Sequence, residues 1–130
     1  MPTVRDVTYE ILRARGLTTI FGNPGSNELV FLDGMPPDFT YVLGLHEDAV
    51  LSMADGYSLA SGQPVFVNLH AAAGAGNAIG ALTNSVYSHS PLVVTAGQQV
   101  RSTILLWTAS CGLRAARGRG PAAHKLCVHA

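Results

Sequence analysis

The sequence predicts an α/β domain built on a parallel sheet with helices on its faces. Short apolar or β-branched segments at 18–21, 39–45, 65–69 and 92–96 alternate with stretches of helical spacing. The spacings call for right-handed crossovers, and Val65 to Leu69 is apolar enough to be buried on both faces.

Thr3 and Asp6 form a capping-box pattern that opens a first helix, with Val4, Val7, Ile11 and Leu12 at helical spacing until Gly16 stops it. Thr18 to Phe21 reads as the first strand. It is broken by Gly22-Asn23-Pro24-Gly25, after which Ser26-Asn27-Glu28 can cap a helix to about Leu32. Gly34 to Pro37 is a turn. Phe39 to Leu45 is the second strand, with His46-Glu47-Asp48 at its end and a helix from about Glu47 to Ala60 closed by Gly62. His70 ends the third strand and precedes a small-residue segment, Ala71 to Gly76. A helix from Asn77 to about Tyr87 and a fourth strand from Leu92 to Ala96, after Pro91, complete the pattern.

From about Arg101 the pattern fails. Ile104 to Trp107 is ambiguous between helix and strand, and Ala115 to Ala123 is low in complexity. The chain therefore divides into residues 1–100, a single domain, and 101–130, a divergent tail expected to be frameshifted or disordered.

Composition narrows the function classes. With 48% hydrophobic and 12% charged residues the chain expects a buried core, and its formal net charge of zero leaves no surplus for a nucleic-acid backbone or an acidic membrane. Every carboxylate lies at or before Asp55, whereas Arg101, Arg114, Arg117, Arg119 and Lys125 stand without acids near them. The start lacks the basic and apolar regions of a secretory signal, so a cytoplasmic location is expected. The apolar run from Ala78 to Ala96 is interrupted by Asn84, Ser88, His89, Ser90 and Pro91 and cannot span a bilayer. Cys111 and Cys127 lie in the tail without metal-ligand spacing and read as incidental.

Ligands of an open parallel sheet bind beyond the carboxyl ends of its strands. That rule places Ser26, Glu47 and His70, one after each of the first three strands, on one rim as hydroxyl, carboxylate and imidazole. Each has a plainer explanation: Ser26 as a helix N-cap, Glu47 as a first-turn acid facing a helix dipole, His70 as a strand-end residue satisfied by backbone. The run Gly74-Ala75-Gly76-Asn77-Ala78-Ile79-Gly80 invites comparison with a dinucleotide fingerprint. Its spacing is one residue too long and no acid follows to hold a ribose, which disfavours a nicotinamide-dependent dehydrogenase.

The blocks Phe21-Gly22-Asn23-Pro24-Gly25-Ser26-Asn27-Glu28, Leu45-His46-Glu47, Ala54-Asp55-Gly56-Tyr57, Asn68 to Ala78 and Ser88 to Gln99 closely resemble, in order and spacing, the pyrimidine-binding domain of thiamine-diphosphate-dependent 2-keto acid decarboxylases. The nearest likeness is to the benzoylformate decarboxylase kind, over about Val7 to Val100. The resemblance implies the thiamine-diphosphate-binding fold, here incomplete, and a carbon-carbon lyase ancestry.

By motif position, Glu47 is implied to hydrogen-bond the pyrimidine ring nitrogen of thiamine diphosphate and so to favour the tautomer that deprotonates the thiazolium carbon. Burial and the helix N-terminus pull the proton affinity of Glu47 in opposite directions. Ser26 is implied to bind the substrate carboxylate and His70 to assist proton transfers. Gly25, Gly74 and Asn77 are implied to shape the cofactor site, with Asn23 and Leu69 lining the substrate. A small 2-keto acid, preferably aromatic, is the implied substrate, and the family is homo-oligomeric with its site at a subunit interface.

The Gly-Asp-Gly motif and following Asn through which the family holds Mg2+ and the diphosphate do not occur among these 130 residues. The second catalytic histidine of the subgroup is also missing. The chain is accordingly expected to be an N-terminal fragment without activity of its own. A noncatalytic remnant or interaction module is the alternative.

Overall fold

A computed structural model describes residues 1–98 and the backbone of Leu126–Val128. Helix α1 (Val4–Ala14) opens with the expected reciprocal cap: the Thr3 backbone N–H donates to Asp6 at 2.9 Å and the Asp6 N–H donates to the Thr3 hydroxyl at 3.2 Å. Strand β1 (Thr19–Asn23), helix α2 (Ser26–Leu32), strand β2 (Thr40–Leu43) and helix α3 (Glu47–Ser61) follow. Gly62 ends α3 in the left-handed conformation, φ 66°, with its N–H on the Ser58 carbonyl at 2.9 Å. Strand β3 (Val65–Leu69), helices α4 (Ala71–Asn77) and α5 (Ile79–Tyr87) and strand β4 (Leu92–Ala96) complete the main unit.

The strands lie in the order β2-β1-β3-β4-β5, every described pair parallel, where β5 is Leu126–Val128. Residues 126–128 fall where the sequence offered no element. An apolar triplet here lies along the outer side of β4, Val94 opposite Leu126. The other expectations for the tail, including Ile104 to Trp107 and Cys111, lie outside the described residues.

Alternation along the strands divides the core in two. Phe21, Val67 and Val94, in register across β1, β3 and β4, face Val50, Leu51 and Ala54 of α3 and Ala78 and Ala81 beside and on α5. Ile20 and Phe66 point the other way, into Tyr9 and Leu12 of α1 and Phe39. All five residues of β3 are buried, as expected of a strand covered on both faces. Among the described residues no helix is long and apolar enough to cross a membrane.

The structure adds which face of α1 is inward and corrects one local expectation. In α1 the apolar residues Val4 (86% exposed), Val7 and Ile11 (56%) turn outward, and the helix seats itself on Tyr9 and Leu12. Tyr9 decides this: its ring stacks on Phe31 at 4.7 Å, meets Phe39 edge-on at 4.9 Å, and its hydroxyl donates to the Phe31 carbonyl at 3.0 Å. The segment Ala71 to Gly76 is helical, not a loop before a helix that starts at Asn77. A break at Ala78 separates α4 from α5, whose first turn is held by Asp48 accepting from the Ala81 N–H at 3.1 Å.

The chain leaves β1 in one direction to reach β2 and returns past it to β3. The loops after β1 and β3 therefore part at the carboxyl edge, which is the topological switch point where α/β sheets open a crevice.

Candidate functional site

Three elements converge on Glu47. It is the first residue of α3, set there by the tight turn after β2 and by His46, whose Nδ1 accepts from the Asp48 N–H at 3.3 Å. Asn23, the last residue of β1, donates its side-chain amide to Glu47 Oε1 at 3.0 Å. Asn77, the last residue of α4, donates to Oε2, also at 3.0 Å. The residue is 7% exposed.

The competition left open by the sequence is thereby decided. Burial pushes the Glu47 pKa up, but the Asn77 amide, the backbone amide at the start of α3, the Asn23 amide and nearby His46 together hold it below its ordinary value. Glu47 is a carboxylate whose charge is spread over fixed donors. Gly74 lies against it: a Cβ there would sit 3.2 Å from Glu47 Cγ and Oε1, so a side chain at this position would crowd the acid.

His70 is the single residue between β3 and α4. Its ring rests on the Gly25 α-carbon so closely that a Cβ at residue 25 would overlap the imidazole, which explains glycine there. The next residue, Ala71, holds φ at 42°, a left-handed conformation uncommon for a residue with a side chain. That sharp turn lets the strand pass directly into α4 with the imidazole on the rim.

Ser26 lies beside Gly25 as the first residue of α2, exposed to solvent. The N-cap is Gly25, not Ser26, and the Ser26 hydroxyl has no hydrogen-bond partner among the described residues. The plain capping explanation of this serine is therefore removed. Ser26, Glu47, His70, Gly25, Gly74, Asn77 and Asn23 all belong to the carboxyl edge of β1, β2 and β3. Leu69 does not join them: its side chain is 1% exposed and packs in the core with Leu51 and Val94, so the expectation that it lines a substrate is corrected. It sits one residue before the rim, and strand alternation turns it inward.

One residue of the site was missed. Glu28, in the first turn of α2, is 3% exposed and accepts from the Gly25 N–H at 2.9 Å, as a capping-box acid does. The same oxygen lies 2.8 Å from His70 Nδ1. The capping pattern was a usable signal for the first contact. The second joins residues 42 apart in sequence and needs the fold.

The glycine run also loses its resemblance to a dinucleotide loop. Gly74 and Gly76 lie inside α4, and the strand-to-helix turn consists of His70 alone. Among the described residues no group of three or more His, Cys, Asp or Glu side chains could hold a metal ion.

Residues 2–112 match the family described as thiamine pyrophosphate enzyme, N-terminal TPP binding domain, somewhat beyond the Val100 boundary drawn from the sequence. The benzoylformate decarboxylase of Pseudomonas aeruginosa is 72% identical over 104 residues, covering 80% of this chain and 20% of that protein. A mitochondrial acetolactate synthase catalytic subunit of Aspergillus candidus is 30% identical over 101 residues, covering 76% of this chain and 15% of that protein. Among solved structures, the thiamine diphosphate-dependent 4-hydroxybenzoylformate decarboxylase of Rhodococcus jostii superposes with a TM-score of 0.78 at 79% identity, over 82% of this chain and 20% of that one. The chain spans about a fifth of the length of these decarboxylases.

Proposed function

Because the chain belongs to the thiamine pyrophosphate enzymes, as an N-terminal TPP binding domain resembling that of benzoylformate decarboxylase, we propose that it forms the pyrimidine side of the cofactor site in a decarboxylase of aromatic 2-keto acids. The observation that carries this reading is the carboxylate of Glu47, fixed at the crevice by Asn23 and Asn77 beside the bare backbone of Gly74.

These residues fit the cofactor. A weakly basic ring nitrogen needs a carboxyl group that can share a proton in a site partly closed to water, and Glu47 is 7% exposed at that edge. The flat ring needs an unobstructed neighbour, and Gly74 presents no side chain there. When bound, thiamine diphosphate supplies the electron sink that lets a 2-keto acid release carbon dioxide.

The chain's own groups orient and move protons around that event. Glu47, held as a carboxylate, would accept a hydrogen bond from a proton on the ring nitrogen. Asn23 and Asn77 keep its two oxygens in fixed directions. The Ser26 hydroxyl, exposed at the rim, would donate to the substrate carboxylate, and His70, packed on Gly25, would serve proton transfer. Mg2+ and the diphosphate are held by residues outside these 130, and the functional assembly is a homo-oligomer of longer subunits in the cytoplasm. The identity of 72% to a benzoylformate decarboxylase against 30% to an acetolactate synthase supports the aromatic substrate.

A chimera tests this reading. Residues 1–98 replace the matching segment of the Pseudomonas aeruginosa benzoylformate decarboxylase, and carbon dioxide release from benzoylformate is measured with thiamine diphosphate and Mg2+. The chimera is expected to turn over, and Glu47→Gln within it to lose about 10²–10⁴-fold in kcat. A folded, inactive chimera, or unchanged activity on Glu47→Gln, would overturn the assignment.

A further inference from the structure

We infer that Glu28 is a positioning residue for His70, holding the imidazole in the Nδ1–H tautomer and leaving the Nε2 lone pair as the group offered at the rim. Its meaning for catalysis rests on the function proposed above, but the tautomer itself is a property of this chain and is measured without cofactor or substrate.

The first turns of helix α2 depart from ordinary burial. Leu29 and Val30 are exposed while the acid between them and the turn is inside, 3% exposed. Burying a carboxylate costs several kcal/mol unless it is paired and hydrogen-bonded, so a cap with no other task would be left in solvent. Glu28 goes inward toward two donors. Its Oε2 accepts from the Gly25 N–H at 2.9 Å and lies 2.8 Å from His70 Nδ1.

The direction of the second bond follows from the first. A carboxylate can only accept, and an oxygen already receiving one N–H completes its second lone pair by receiving another. The proton of the contact therefore sits on His70 Nδ1. In a neutral imidazole the other nitrogen is then an acceptor, because the partner of one ring nitrogen fixes the role of the other. His70 Nε2 has no hydrogen-bond partner among the described residues, and the imidazole side chain is 36% exposed.

The remaining oxygen closes the arrangement. Among the described residues Glu28 Oε1 is buried without a partner, and Gly97 lies so near that a Cβ there would overlap it. The missing side chain at Gly97 leaves room for Oε1 on that side while Oε2 is turned toward the imidazole. Gly25 contributes from the other side: it provides the N–H that anchors Oε2 and the flat surface on which the ring lies.

The test is ¹⁵N NMR of histidine side chains in the full 130-residue chain, well above the ordinary histidine pKa of about 6.5. His70→Gln assigns the His70 signals by their loss. The wild-type chain is expected to show His70 as Nδ1–H, with a slowly exchanging Hδ1 resonance cross-relaxing to the Glu28 methylene protons. An Nε2–H imidazole or an imidazolium under these conditions would overturn the inference. Glu28→Gln, which can still present an oxygen to both donors, is expected to retain the Nδ1–H form. Glu28→Ala is expected to release the ring to the Nε2–H form usual for free histidine, and retention of Nδ1–H there would also overturn it. Should Glu28→Ala not fold, the wild-type and Glu28→Gln spectra decide the matter. Chimera failure with an Nδ1–H spectrum would count against the proposed function alone.

Discussion

Asn23 and Asn77 reach Glu47 from the end of a strand and the end of a helix, each donating its side-chain amide to a different carboxylate oxygen at 3.0 Å. The acid is thus held by these two neighbours together with the backbone amide that starts its own helix. Removing one donor should leave the carboxylate less favoured. Asn77→Ala is expected to raise the Glu47 pKa toward its ordinary range and to cost about 0.5–1.5 kcal/mol, the net value of one hydrogen bond at a partly wet site. Carbon-detected NMR titration of the Glu47 carboxyl and urea unfolding measure the two effects. An unmoved titration would show that the contact does not govern the charge.

The same lowered pKa makes a statement about acid stability. A group whose folded pKa lies below its ordinary 4.5 adds stability that is complete above that value and is lost as the pH falls from there through the lowered one. Glu47→Gln should flatten this part of the stability profile while leaving the neutral side in shape. Urea midpoints collected from neutral pH downward would show it, and identical acid limbs in both proteins would contradict it.

Gly25→Ala is expected to act at a distance in sequence but not in space. The backbone at residue 25 has φ −103° and ψ −168°, which alanine adopts without strain, so the only penalty is the overlap of its methyl with His70. Displacing the ring should cost about 1–3 kcal/mol. It should also shift the His70 ring proton resonances, readable in the same sample as the unfolding curve. Wild-type stability together with an unmoved ring would refute the close packing.

Ser26 and Leu69 separate function from structure in opposite senses. With no hydrogen-bond partner for Ser26 among the described residues, Ser26→Ala should change stability by no more than about 0.5 kcal/mol. Any loss of rate it causes in the chimera then belongs to substrate. Leu69→Ala empties a site in the core and should cost about 2–5 kcal/mol. Denaturant midpoints discriminate the two, and a mild Leu69→Ala would restore this residue to the rim.

The sheet and its crossovers were legible because short apolar or β-branched segments alternate with helical spacings, and the rim followed from topology alone. Ser26, Glu47 and His70 reach it because each follows a parallel strand. What sequence could not supply was orientation. Val4, Val7 and Ile11 make as good an apolar stripe as Tyr9 and Leu12, and only the aromatic cluster with Phe31 and Phe39 selects the inner face. Leu69 and His70 are neighbours with opposite fates because strand alternation is fixed by register. Glu28 was visible as a capping acid, whereas its bond to His70 depends on two loops meeting across the switch point.

Parallel pairing has a kinetic consequence. The chain completes β1 long before β3 exists to lie beside it, and the bonds Asn23–Glu47, Asn77–Glu47 and His70–Glu28 link residues 24, 30 and 42 apart. Loop-closure entropy must be met before any of them can form, so such contacts arrive late on the route to the native state. No nascent stretch shorter than the passage from β1 through α4 can display the acid and imidazole together. Protection of the Asn23, His70 and Asn77 side-chain protons is consequently a clock for completed assembly rather than for local helix formation.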